Sequence, residues 1–154
     1  MTVQYITRDI TTVSKGIVAH GVNCSGAMTS GVAKAIRNRW PKAYESFMKY
    51  PKGAKVLGQT DIVYIDDEDV IVANCYTQVF YGYGGGKYAD AGAVKTSMQR
   101  VMQIANLQSL HVYIPRIGCG LGGLQWDKDV EPTINELAEI YTRTNIYVCD
   151  LPGE

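Results

Sequence analysis

A three-layer α/β domain built on a mixed sheet is what this sequence predicts, on three observations. Short β-rich runs alternate with segments of helical periodicity along the chain. Most of those runs are compactly apolar rather than alternating, as expected of strands covered on both faces. The acidic stretch 66–69 separates two of them by a tight turn, which predicts one antiparallel pair among strands otherwise joined by helices. At 154 residues, 46% hydrophobic and 19% charged, the chain is sized for a single domain (1–154) with a substantial buried core.

The strands are predicted at 3–7, 16–22, 59–65, 70–76, 111–115 and 146–151. Between them, Val32, Ala35, Ile36 and Trp40 recur at helical spacing, and Pro41 opens a second helix carrying Ala43, Tyr44, Phe47 and Met48. Ala91, Val94, Met98, Val101, Met102 and Ala105 form the stripe of a long helix. Val130, Ile134, Leu137 and Ile140 form another, with Pro132 in its first turn, where a missing N–H costs little.

Charge and cysteine usage exclude several function classes. Fifteen Lys and Arg balance fifteen Asp and Glu, so no basic surface for strong nucleic-acid binding is expected. No apolar run reaches the length of a membrane span, and the segment MTVQYITRD has no signal-peptide core. Cys24, Cys75, Cys119 and Cys149 form no CxxC pair and are expected to be reduced thiols of a cytoplasmic protein.

Glycine placement carries the functional information. Three glycine-rich loops each follow a predicted strand and lead toward a helix: 23–31, 81–88 and 116–124. Such loops let main-chain N–H groups approach an anion, and a helix N-terminus adds favourable partial charge. Tight turning alone accounts for one loop; three at the same sheet edge favour phosphate binding. Gly118 to Gly123 satisfies G-x-G-x-x-G, but it comes near the end of the chain and no acidic residue lies about 20 positions on at a second strand's end. The Walker pattern fails, because Gly86-Lys87 is followed by Tyr88 and the earlier glycine position is Tyr81. His20 and His111, the two histidines, lie at no metal-ligand spacing, and no metal or cofactor is expected. Cys119 resembles a nucleophile, yet a cysteine phosphatase needs an arginine where Gln125 stands, which favours a packing role.

At these loops the sequence resembles the macrodomains, an ADP-ribose-binding α/β family. The resemblance is carried by Thr7-Arg8-Asp9-Ile10, by Ala19-His20-Gly21-Val22-Asn23 through Gly31-Val32-Ala33, by Ala73-Asn74-Cys75-Tyr76-Thr77-Gln78, and by Pro115 through Trp126. Within the family it is most similar to the branch containing ADP-ribose 1''-phosphate phosphatases and hydrolases that release ADP-ribose from acidic side chains.

The resemblance implies roles for named residues. Asp9 would accept from the adenine amine and Ile10 would offer its N–H, although an Asp after a strand is often a turn or cap residue. The Gly31-Val32-Ala33 helix start would receive one phosphate, and Thr77 would count among the ligand-binding residues. The Gly118 to Leu124 loop would close over the diphosphate and distal ribose, Arg116, Ile117, Gly118, Cys119, Gly120, Leu121 and Gly122 would count among the ligand-binding residues, and Asn23 and Ser25 would bond the distal ribose hydroxyls. Where the ester-cleaving enzymes carry a lysine and an aspartate, this chain has Gln78 and Gly122; Lys87 is the nearby alternative amine.

His20, Asn23 and Gln78 are thus the expected catalytic set. His20 has two readings, a proton-handling or water-orienting group and a structural histidine beneath the first loop. Tyr81, Tyr83 and Tyr88 are expected to form a lid over the distal ribose. The activity expected is hydrolysis of ADP-ribose 1''-phosphate. Two alternatives stand beside it, a non-catalytic ADP-ribose module and a hydrolase acting on ADP-ribosylated protein.

Overall fold

Six strands form one sheet in the order β1-β6-β5-β2-β4-β3, with helices packed against both faces. The computed structural model describes residues 3–29, 31–80 and 88–153. The strands are β1 (Val3–Thr7), β2 (Lys15–Asn23), β3 (Thr60–Tyr64), β4 (Asp69–Gln78), β5 (Val112–Ile114) and β6 (Ile146–Asp150). All neighbours are parallel except β3 and β4. That pair closes at the acidic turn, where Asp67 takes φ 62°, a conformation Asp tolerates better than most side chains. The mixed sheet and all six predicted strands are therefore present. Strand β5 is shorter than its apolar run, and β2 extends one residue further at each end.

The helices are α1 (Gly31–Arg39), α2 (Pro41–Lys49), α3 (Ala91–Gln108) and α4 (Glu131–Ile140). Helix α3 starts at Asp90, whose carboxylate accepts from Ala93 N at 2.9 Å and satisfies one donor of the open first turn. A wide turn, Trp126–Val130, precedes α4, and Pro132 falls in that helix's first turn. No helix among the described residues is long and apolar enough to cross a membrane.

Side-chain alternation divides the core in two. Ile17 and Ala19 of β2, with Ile71, Ala73 and Cys75 of β4, pack beneath α3 and α4. Val18 and Val22, with Val72 and Tyr76, pack beneath α1 and α2 around Ile36, Trp40, Ala43 and Phe47. Both faces are buried, which explains the unbroken apolar runs. Three stripe assignments need correcting: Ala35, Met48 and Ile140 are exposed. Successive helical residues turn by about 100°, so each of these lies roughly 100–140° from the buried line of its helix. Ala138, not Ile140, completes the buried stripe of α4.

Candidate functional site

The carboxyl ends of β2, β4, β5 and β6 surround a cavity of about 450 Å³. Strand β2 contributes His20 to Asn23, and β4 contributes Thr77 and Gln78. The loop after β5 contributes Pro115 to Gly122, β6 and its exit contribute Cys149 to Leu151, and the start of α1 contributes Gly31, Val32 and Ala33. An open parallel sheet places ligands at this edge, because strand exits splay there and helix N-termini point toward it.

Packing dictates the third glycine loop. Gly118 has φ 79°, and a Cβ there would lie 2.8 Å from Leu124 Cδ1. A Cβ on Gly122 would lie 2.6 Å from Gly118 O and 2.9 Å from Ala89 Cβ. Cys119 N donates to Arg116 O and Leu124 N to Gly118 O, while the N–H groups of Gly120, Leu121 and Gly122 make no such main-chain bond among the described residues. Gly122 O in turn accepts from Tyr88 N and Ala89 N at 2.8 and 2.9 Å, tying the loop to the segment before α3. The first loop is held by Asn23: its Oδ1 accepts from Ser25 N and Ala27 N, and its Nδ2 donates to Ala27 O.

Few charges reach the cavity. Arg116 is braced by a bidentate pair with Asp150 (2.9 and 3.0 Å), its guanidinium 5.3 Å from the Tyr5 ring centroid and 5.5 Å from that of Trp126. That hydrogen bonding holds the Asp150 carboxyl below its usual range. Burial pushes the Cys119 thiol up to about 11, so it is protonated at neutral pH and unsuited to nucleophilic attack. His20 is buried, and its Nε2 lies 2.6 Å from Asn74 Oδ1. Burial drives its pKa down to about 4, which keeps the imidazole neutral.

The structure gathers most of the residues singled out from the sequence. His20, Asn23, Gly31, Val32, Ala33, Thr77, Gln78 and the run Arg116 to Gly122 all line the cavity. Three others do not line it. Asp9 caps the short helical turn Ile10–Thr12, its Oδ1 accepting from Thr11 N and Thr11 Oγ1 at 2.9 and 2.7 Å. Ile10 is buried in the core beside Val13. Ser25 Oγ donates to Val79 O at 2.6 Å, joining the first loop to the exit of β4. Tyr81, Tyr83 and Lys87 lie outside the described residues. Cys149, Asp150 and Leu151 line the cavity without having been singled out. The signal was available: they end a predicted parallel strand, at the edge where the other strands also open.

The Macro domain family profile matches residues 19–132, the stretch that supplies both described glycine loops. The chain belongs to the macrodomain family. This macrodomain is 29% identical to the ADP-ribose 1''-phosphate phosphatase of Lodderomyces elongisporus, over 97% of this chain and 100% of that protein. It is 28% identical to the DNA ADP-ribosyl glycohydrolase of Mycobacterium tuberculosis, over 84% of this chain and 36% of that protein. The solved macrodomain protein of Streptomyces coelicolor superimposes with a TM-score of 0.77 at 28% identity, over 96% of this chain and 98% of that one. At Gly122 this macrodomain has no room for a Cβ.

Proposed function

We propose that this macrodomain binds ADP-ribose and hydrolyses ADP-ribose 1''-phosphate to ADP-ribose and phosphate. One observation carries the reading: the cavity offers main-chain donors and a buried neutral histidine, and among the described residues its charged lining groups, Arg116 and Asp150, are paired with each other. Gln78 donates from Nε2 to Phe80 O, and Gly122 is closed to any side chain. Similarity across the full length of a named phosphatase supports the same substrate.

In this reading the start of α1 receives one phosphate on its open N–H groups. The amides of Gly118, Gly120 and Leu121 hold the diphosphate and distal ribose. Water attacks phosphorus; the new O–P bond forms as the bond to the 1''-oxygen breaks, one proton of that water ends on the 1''-oxygen, and the other stays on the phosphate released. Loop amides offset the charge gained on the phosphoryl oxygens. A histidine this hard to protonate serves as an acceptor that aligns water, not as the acid that protonates the leaving oxygen.

The test is phosphate release from ADP-ribose 1''-phosphate by the purified protein. Turnover that falls by about 10²-fold in His20→Ala, while ADP-ribose still binds, is the expected result. ADP-ribose binding without phosphate release would instead select a non-catalytic module, since the same loops serve both. Release of ADP-ribose from a modified protein or DNA would move the substrate to a macromolecule.

A further inference from the structure

A buried polar row crosses the α1/α2 side of the sheet, where packing alone would call for apolar side chains. His20 on β2 is the register partner of Asn74 on β4, and Asn74 is the register partner of Asp61 on β3. All three are buried. Asn74 Nδ2 donates to Ala43 O at 3.1 Å and to Asp61 Oδ2 at 3.2 Å. A carbonyl and a carboxylate only accept, so the amide has one orientation and turns Oδ1 to His20. His20 Nε2, 2.6 Å from that oxygen, must carry a proton. The far end is held by Ser46 of α2, whose hydroxyl lies 3.0 and 2.9 Å from the two Asp61 oxygens.

A neutral imidazole protonated at Nε2 is bare at Nδ1. That atom is the sole buried side-chain nitrogen or oxygen without a partner among the described residues, and it belongs to a residue lining the cavity. A bare acceptor at such depth is costly unless a donor meets it. The row therefore does more than satisfy itself: it decides which nitrogen is left over.

We infer that Ser46, Asp61 and Asn74 lock His20 into its Nε2–H tautomer, so that Nδ1 accepts a hydrogen bond from an O–H group held at the cavity floor. The donor is a hydroxyl of the bound ligand or a water aligned there. The catalytic consequence rests on the phosphatase reading, within which Asn74 is a positioning residue acting through His20. A histidine locked this way accepts a hydrogen bond from the cavity and has no N–H to donate into it.

Long-range proton–nitrogen spectra of the full chain with ¹⁵N-labelled histidine test the inference. His20 is expected as a single Nε2–H tautomer, with a hydrogen-bonded Nδ1 resonance. A shift appearing only with ADP-ribose identifies a ligand hydroxyl; one already present in the free protein identifies water. In Asn74→Leu the two tautomers mix, and turnover falls by about 10-fold or more with KM within about threefold.

An Nδ1–H tautomer or a mixture in the native protein overturns the inference, as does an Nδ1 resonance free of hydrogen bonding both with and without ligand. The native spectrum decides this even where Asn74→Leu does not fold. Amide shifts of Gly118 and Gly120 report ADP-ribose binding separately. Silence there sinks the ligand reading, while the His20 tautomer and its Nδ1 bonding are still read from the free protein.

Discussion

The two faces of one sheet are built from the same strands yet differ in kind. Toward α3 and α4, β2 and β4 present Ile17, Ala19, Ile71, Ala73 and Cys75, an apolar surface throughout. Toward α1 and α2, Val18, Val72 and Val63 form one apolar level, and the next level along the same strands is His20, Asn74 and Asp61. Burying polar groups costs free energy unless each is bonded, so a polar level beside an apolar one is not explained by packing. It lies where β2 and β4 run into the cavity. The α3/α4 face supports the sheet; the α1/α2 face also prepares the site.

The largest effect is expected on the apolar face. Met98 is fully buried in α3, and Met98→Ala removes side-chain contacts and leaves a cavity, a change that costs about 2–5 kcal/mol. Urea unfolding is expected to show that loss, with ADP-ribose affinity of the folded protein unchanged. A comparable loss of affinity would mean that the two faces are not separable.

The polar face carries the next largest effect, and it depends on pH. His20 has a folded pKa of about 4 against an ordinary 6.5, so between those values the unfolded chain binds the extra proton. Its contribution to stability is complete above pH 6.5 and is lost as pH falls toward 4, on the order of 3 kcal/mol in all. Carboxyls held low by hydrogen bonds, such as Asp9 and Asp150, lose their contributions only at more acid pH. Thermal unfolding from pH 7 to pH 4 is expected to show a decline that His20→Gln flattens. An equal decline in the variant would assign it to other groups.

This division was only partly legible in the sequence. The strands were readable because each is an apolar run between turn residues, and the cavity because glycines recur at strand exits. The polar row was not, since His20, Asn74 and Asp61 are separated along the chain and only the β2-β4-β3 register brings them level. Asp9 shows the same limit from the other side. A strand-end aspartate reads alike as a ligand contact or a cap, and only its bonds to Thr11 show the capping. Gly122 read as one glycine among several; its closeness to Gly118 O and Ala89 becomes visible only when the loop is folded against the start of α3.

That loop supplies a smaller prediction. Gly122→Ala forces a Cβ against backbone, and overpacking of this kind costs about 1–3 kcal/mol. Because the displaced atoms belong to the loop proposed to hold the diphosphate, ADP-ribose affinity is expected to fall by about tenfold, read by calorimetry. This is the reverse of Met98→Ala, where stability changes and binding does not. Retained affinity in Gly122→Ala would show that ligand binding tolerates a displaced loop.

The smallest effect is expected at the cavity rim. Arg116 and Asp150 form a bidentate pair, but their side chains are 42% and 33% exposed, and partly solvated pairs contribute about 0.2–1 kcal/mol. Arg116→Gln is therefore expected to lower stability by less than about 1 kcal/mol. Arg116 already meets Asp150 with two of its nitrogens, and in the proposed reading main-chain donors hold the diphosphate. ADP-ribose affinity in Arg116→Gln is expected to stay within about threefold of native, with little change between low and high salt. A steep loss that salt reproduces in the native protein would transfer phosphate recognition from the loop amides to this side chain, and with it the reason a chain of zero net charge can hold a dianion.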